Sequence, residues 1–398
     1  MSHVESTAPT TLDADEAAEL VELTRALIRI DTINPPGNER AAAELLLERA
    51  RAWGLQADLV PLSDNRANLD IRLPGDGSEP ALMYCGHLDT VPLGEESWTH
   101  GPHEAHLDPD GVLWGRGAVD MKGGVAAMLY GVALLARRSV RPPGDVRLLA
   151  TIGEEVDCAG ARAALEQGAM DEVGQLVIAE PTGMELVAAH KGALFLELTA
   201  HGRAAHAAMP EQGSNAISHL IRLLERVEQF DFGVDEHPLL GRPTVSIGTI
   251  TGGSVVNIVP DHCVAQVDVR TTPDVDHAKL VQRLEKLVGA HRGDGVELEL
   301  RVTGDYPAVG TSPDHPLVTA ADRALSSVSD EPASRTTVSY FSDGSILQPP
   351  TGVPTLLCGP GDPNLAHQTN ERVQVSELVR AARFFAELPG HVFGRSRG

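Results

Sequence analysis

Cysteine is scarce in this chain of 398 residues, and its four copies, Cys85, Cys158, Cys263 and Cys358, lie far apart. That spacing offers neither a disulfide framework nor a cysteine-rich closed metal site. It suits buried small hydrophobes in a reducing compartment. Basic residues are also short: 32 Lys and Arg stand against 56 Asp and Glu, a formal net charge of −24, with no basic stripe. This balance argues against nucleic acid and against an anionic membrane surface. It does not by itself call for a cationic substrate, because a solvated acidic face gives the same balance. No apolar run reaches transmembrane length. The start, Met1-Ser2-His3-Val4-Glu5-Ser6-Thr7, lacks a basic beginning and an apolar stretch, so no signal peptide is read and a cytoplasmic location is expected. There is no internal repeat, and low complexity is confined to the first dozen residues and the Arg-rich last five, which are expected to fray.

What the chain does have is a series of acids at strand ends. The apolar run Ala81-Leu82-Met83-Tyr84 reads as a buried strand and leads into Cys85-Gly86-His87-Leu88-Asp89-Thr90-Val91-Pro92. A strand that ends in His-x-Asp delivers an imidazole and a carboxylate to one rim of a sheet. A metal site uses that pair: a neutral His as ligand, and a carboxylate that fixes the tautomer of its ring. Alone, the tripeptide reads equally as a solvated loop. Next comes Trp114-Gly115-Arg116-Gly117-Ala118-Val119-Asp120-Met121-Lys122-Gly123-Gly124, whose glycines allow close backbone approach. Asp120 stands where this loop enters an apolar helix over 125–136. A strand over 145–152 leads into Gly153-Glu154-Glu155, and another over 176–179 leads into Glu180-Pro181-Thr182. A last strand, 355–358, precedes Gly359-Pro360-Gly361 and then Ala366-His367-Gln368-Thr369-Asn370-Glu371.

Open α/β sheets place their sites at the carboxyl ends of strands. Two histidines and several carboxylates converging there suit a pair of divalent ions better than one structural zinc. Each acid taken singly also reads as a solvated strand end, a reading that fits all five together poorly.

The length points to two domains. Amphipathic helices are predicted over 13–30 and 38–53, with Asn38 as N-cap and Gly54 as the stop. Strands then alternate with helices to about residue 191, the pattern of a mainly parallel sheet. From 192 to 302 the order becomes an α+β block: a strand at 195–200, a helix, strands at 245–250, 254–258 and 262–270, a helix at 275–291 and a strand at 296–302. The first pattern resumes at Asp305-Tyr306-Pro307, as an inserted domain would require.

With these motifs in place, the chain resembles the zinc aminoacylase/carboxypeptidase family that includes acetylornithine deacetylase, succinyl-diaminopimelate desuccinylase and glutamate carboxypeptidase. The likeness runs from about residue 15 to about residue 388. It rests on the His-Leu-Asp-Thr-Val-Pro block, the Gly-Arg-Gly-x-x-Asp-Met-Lys-Gly-Gly block and the paired glutamates, in the family's order. The resemblance implies an α/β, dizinc-aminopeptidase-like catalytic domain with a mainly parallel sheet, over 1–191 and 303–398. It implies an inserted α+β, ferredoxin-like lid or dimerisation domain over 192–302. It makes His87 and Glu180 ligands of a first zinc, Glu155 and His367 ligands of a second, and Asp120 the bridge. Glu154 would be the general base and Asp89 the carboxylate behind His87. The bond after the bridging aspartate, Asp120-Met121, is often cis in the family.

A second block, Gly202-Arg203-Ala204-Ala205-His206-Ala207-Ala208-Met209-Pro210, precedes a helix that begins near Gly213-Ser214-Asn215-Ala216-Ile217. It resembles the family's second signature. There the histidine hydrogen-bonds the oxyanion, from the opposite subunit in dimeric members, and His206 takes that place here. By the same resemblance Asn257 and Arg270 hold a substrate carboxylate, a task for which a guanidinium fork is suited. Lys191 lies where some relatives carry an Arg that contacts substrate; a solvated lysine is the other reading. One departure concerns Ser339-Tyr340-Phe341, where several relatives have glycine and threonine before Ser342-Asp343-Gly344. Rings there either reshape the acyl pocket or belong to the core, and the desuccinylase's own substrate is not implied.

The expected activity is hydrolysis of the amide of an N-acyl amino acid, with zinc as the expected metal and cobalt or manganese also suited to the ligand set. The alternative enzyme is a dipeptidase or carboxypeptidase of the same family, which uses the same water and metals. A non-catalytic binding protein on this fold would show lost ligands, and none is lost here. Carbamoyl-amide chemistry ranks below these. A homodimer through the inserted domain is expected by analogy.

Overall fold

In a computed structural model that describes residues 11–291, 295–329 and 332–394, the chain enters helix α1 (Ala14–Arg29) through Asp13. The Asp13 carboxylate accepts the Glu16 amide at 2.9 Å, and the Glu16 side chain accepts the Asp13 amide at 3.1 Å. This reciprocal cap satisfies two of the donors a helix start leaves open. The Met1–Thr7 start and the Arg-rich tail lie outside the described residues. Helix α2 (Arg40–Ala52) is not capped by Asn38 as expected; Glu39 is its N-cap residue and makes no cap bond. The Glu39 carboxylate is drawn inward by the Arg66 fork at 2.9 and 2.6 Å, which moves the helix start. Gly54, at φ +82°, follows the helix as the expected stop.

Strands β1 (Gln56–Pro61), β2 (Ala67–Leu73), β3 (Ala81–His87), β4 (His106–Leu107) and β5 (Val112–Trp114) follow. Then come α3 (Lys122–Arg137), β6 (Val146–Thr151), α4 (Ala159–Glu166), β7 (Val173–Ile178) and β8 (Leu186–His190). All seven residues of β3 are buried. That continuous burial is what a parallel strand covered on both faces requires.

A second unit comprises Ala189–Val309 and Thr337–Phe341. It is built from β9 (Gly192–His201), α5 (Ala216–Glu228), β10 (Thr244–Gly252), β11 (His262–Thr271), α6 (His277–Ala290) and β12 (Glu297–Tyr306). The βαββαβ order gives an antiparallel sheet in the order β10-β11-β9-β12, a ferredoxin-like arrangement. Alternate residues of β9 (Leu194, Leu196, Leu198) and β11 (Ala265, Val267, Val269) share a core with Leu220 and Leu224 of α5 and Leu284 of α6. The period of two on the strands meets a helical stripe, which is why the block reads as α+β. The expected strand at 254–258 does not form. Gly253, at φ +73°, follows the end of β10, and the apolar run bends into an exposed turn where Val256 is 99% exposed. Ile258 makes an isolated bridge to His206.

The chain returns through β13 (Val309–Gly310), α7 (Pro316–Ser327), β14 (Arg335–Val338), α8 (Gly344–Thr351), β15 (Thr355–Leu357), β16 (Arg372–Gln374) and α9 (Val375–Val392). The first unit takes the chain up to Ala188, Gly310–Thr336 and the chain from Ser342 onward. Its nine-stranded sheet runs β1-β2-β6-β3-β7-β15-β8-β13, with β14 beside β8. The centre is parallel: β3 pairs with β6 and β7, and β7 with β15. Helix α3, buried from Lys122 to Leu135, packs against β3, α1 and α9. The Tyr84 hydroxyl of β3 donates to the Phe385 carbonyl of α9 at 2.7 Å. Among the described residues no helix is long and apolar enough to cross a membrane.

Candidate metal centre

Three neighbouring parallel strands deliver the first side chains. His87 is the last residue of β3, Glu154 and Glu155 follow β6, and Glu180 follows β7. All leave the same carboxyl edge of the sheet, where apolar burial ends and polar groups can converge. Asp120 comes from the loop ahead of α3, and the Asp120–Met121 bond is cis. Gly124 lets this helix start close to β7: a Cβ there would lie 2.4 Å from the Ala179 carbonyl oxygen, one residue before Glu180. His367 comes from the loop after β15 and takes φ +62°.

Asp120 stands between the two imidazoles. Its Oδ1 is 3.1 Å from His87 Nε2, and its Oδ2 is 3.2 Å from His367 Nε2. His367 Nε2 is also 3.1 Å from Glu155 Oε2, and His87 Nε2 is 3.9 Å from Glu180 Oε1. Asp120 thus lies between two clusters, His87 with Glu180 and His367 with Glu155. One ligand atom each from His87, Asp120 and Glu155 lie within 4.8 Å of one another.

The electrostatics fit cations at this place. Burial, and then the Asp120 charge, push the Glu155 and Glu180 carboxyls upward. Burial opposes ionisation of Asp120 too, but bonds to His367 and His87 hold it below the usual carboxylate range. Burial would lower His87, yet the bond to Asp120 and the Glu180 and Glu154 charges carry it well above its ordinary value. Bonds to Asp120 and Glu155 raise His367 to about 10. The protons so held are the ones that metal binding displaces. Glu155 Oε1, moreover, is a buried oxygen with no hydrogen-bond partner, an orphan that a ligated cation would satisfy.

The supporting groups are as informative. His87 Nδ1 donates to the Asp89 carbonyl at 3.0 Å, leaving Nε2 for a ligand; the Asp89 carboxylate is farther, at 3.6 Å. That fully buried carboxylate accepts the amides of Glu154 and Glu155 at 3.1 and 3.2 Å and the Asn34 side-chain amide at 2.9 Å. Glu154 is buried, and burial together with Glu180 and Glu155 raises its carboxyl well above the usual range, against the pull of His87. Sequence reasoning missed Asn34 and Glu371. Glu371, fully buried, accepts the Asp120 amide at 2.9 Å. An acid in the same short block as His367 was a signal, but its partners lie 251 to 255 residues away along the chain.

In the second unit, His206 is exposed and its Nδ1 accepts the Ala208 amide at 3.0 Å. The Ala207 amide donates to the Asn257 carbonyl at 3.0 Å, so these two candidates are neighbours. Arg270 is engaged by Asp268 at 2.9 Å and lies over the Phe195 ring. Lys191 Nζ donates to the Arg242 carbonyl at 2.9 Å. Phe341 stacks on Tyr306 at 4.2 Å between centroids, so this ring of the departing segment packs within the second unit.

Residues 83–390 match the family described as Peptidase family M20/M25/M40. The chain is 30% identical over 382 residues to a probable succinyl-diaminopimelate desuccinylase of Staphylococcus epidermidis, covering 89% of this chain and 93% of the relative. It is 32% identical over 413 residues to a probable carboxypeptidase of Neosartorya fischeri, covering 96% and 89%. Its fold is that of a Bacillus subtilis protein described as a dinuclear metal binding peptidase from the M20 family, with a TM-score of 0.72, 17% identity, and coverage of 96% and 99%.

Proposed function

The chain belongs to peptidase family M20/M25/M40 and is a hydrolase of amide or peptide bonds, and on that premise we propose that it releases the acyl group of an N-acyl amino acid. One observation carries the hydrolytic part of this reading: six groups of the required kinds, His87, Asp120, Glu154, Glu155, Glu180 and His367, meet at the carboxyl edge of one sheet; the relative named a probable succinyl-diaminopimelate desuccinylase favours the acyl amino acid as substrate. His87, Asp120 and Glu180 would hold one cation, and His367, Asp120 and Glu155 the other, with zinc the best fit to the donor set. When bound, such a pair supplies Lewis acidity to an amide carbonyl and acidity to water.

Glu154 is the base in this reading. Its carboxylate takes a proton from the attacking water, the water oxygen bonds to the carbonyl carbon, and the proton passes to nitrogen as the carbon–nitrogen bond breaks. Asp89 positions Glu154 by holding its amide. His206 is assigned to the oxyanion. Because its Nδ1 accepts the Ala208 amide, the neutral ring carries its proton on Nε2, which makes that atom a donor. Asn257, Arg270 and Lys191 are assigned to the substrate carboxylate. A dimer contact through the second unit is supported by the exposed apolar side chains of Ile250 and Val256 on and beside strand β10, at the sheet edge. A cytoplasmic location agrees with four free, buried cysteines.

An exopeptidase is the second reading, favoured by the relative named a probable carboxypeptidase. A panel of N-acetyl and N-succinyl amino acids and dipeptides, assayed with chelation and zinc add-back, separates the two. Chelator-sensitive release from acyl amino acids supports the deacylase. Release from dipeptides alone overturns it in favour of the exopeptidase.

A further inference from the structure

Among the buried groups that the reaction does not use, Glu371 has an unusual set of partners. Its Oε1 accepts the amides of Val119 at 2.7 Å and Asp120 at 2.9 Å. Its Oε2 accepts the Gly117 amide at 3.0 Å and Arg116 Nη1 at 2.8 Å. Two donors on each oxygen use the full accepting capacity of a carboxylate. Its own carbonyl accepts the Gly115 amide at 2.9 Å. Arg116, 1% exposed, extends the clamp to the Gln368 carbonyl at 3.3 Å and the Pro92 carbonyl at 3.0 Å. One side chain thus ties the loop that carries Asp120 to the loop that carries His367.

His367 needs such an anchor. Its side chain is 52% exposed, so packing does not fix it. His87 ends β3, and Glu180 follows β7 by two residues, so the sheet itself holds them. We propose that Glu371, clamped by Arg116, is a positioning residue that sets the separation of Asp120 and His367 and so governs affinity at the cation position formed by Asp120, Glu155 and His367. The inference rests on the two-cation reading above. Replacing Glu371 by Gln would put an NH₂ group against N–H donors, which breaks two of the four side-chain bonds without removing volume.

Cobalt(II) titration of the metal-freed, full-length protein tests this, read by visible absorption with a competing chelator. Melting of the metal-free proteins is followed alongside. The wild type is expected to bind two equivalents. In Glu371→Gln one of the two equivalents should weaken by about 10–100-fold and the other by no more than about threefold. Arg116→Lys, which keeps the charge and loses the fork, should shift the same equivalent in the same direction, and it carries the test if the Gln variant does not fold. Two equivalents of wild-type affinity in the variants would overturn the inference. Equal weakening of both equivalents together with a lowered metal-free melting temperature would also overturn it, by showing a general structural role. A wild type that binds fewer than two equivalents would overturn the two-cation reading itself, and the inference with it.

Discussion

The Glu154 amide donates to the Asp89 carboxylate at 3.1 Å, so the acid expected behind His87 also fixes the residue assigned as base. Asp89 is fully buried, and its other bonds go to the Glu155 amide and the Asn34 side chain. Asp89→Asn would place an NH₂ group against one of these donors. Turnover should fall by about 10–100-fold while the fold is retained. Steady-state kinetics and circular dichroism check this; a wild-type kcat in the variant would contradict it.

Close approach of α3 to β7 depends on Gly124, where an added Cβ would lie 2.4 Å from the Ala179 carbonyl oxygen and 3.1 Å from the Ala179 Cβ. Both contacts are to groups that cannot swing aside. Gly124→Ala should destabilise by about 1–3 kcal/mol and weaken metal retention, because Glu180 follows Ala179. Urea unfolding midpoints and metal content measure the two effects. An unchanged midpoint would show that the helix shifts freely.

Much of this site was legible because the buried stretches 81–85, 148–152 and 176–179 are largely apolar and each is followed within two residues by a titratable side chain. His87, Glu154 and Glu180 stand out for that reason. The span of α1 and the glycine after α2 were legible too, since both signals are local. The Glu371 clamp was not, because its amide partners are set by tertiary packing. Nor was the turn at 254–258, where β-branched residues suggested a strand and the preceding glycines decided otherwise. The nearer acceptor of His87 was missed for a different reason: a main-chain carbonyl carries no sequence signature.

His190, fully buried at the end of β8, is lowered by burial to about 4, and its Nδ1 donates to the Lys191 carbonyl at 3.0 Å. Above the unfolded-state value, near 6.5, the ring is neutral in both states and costs nothing. As pH falls from there toward 4, the unfolded chain takes up a proton that the folded chain refuses. Stability should therefore drop on acidification by about 1.4 kcal/mol per pH unit over that window, approaching about 3 kcal/mol. Denaturant titrations at pH 7, 6 and 5 should show a shallower acid loss in His190→Gln. Identical slopes in the two proteins would contradict the assignment.

Chelation should lower thermal stability, because Asp120, Glu154, Glu155 and Glu180 remain buried together. Zinc add-back should restore the melting temperature; at a free ion concentration of 1,000 Kd, each site contributes about 4 kcal/mol. A calorimetric scan that is the same with and without metal would argue against cations at this place.

The paired glutamates are assigned different tasks: Glu155 to the metal and Glu154 to the proton. Metal content and turnover of Glu154→Ala, measured beside the wild type on the same preparation, test this assignment most directly. Two metal ions per chain are expected in both proteins, with a loss of turnover of at least about a hundredfold in the variant. Near-wild-type turnover, or loss of metal together with activity, would contradict it.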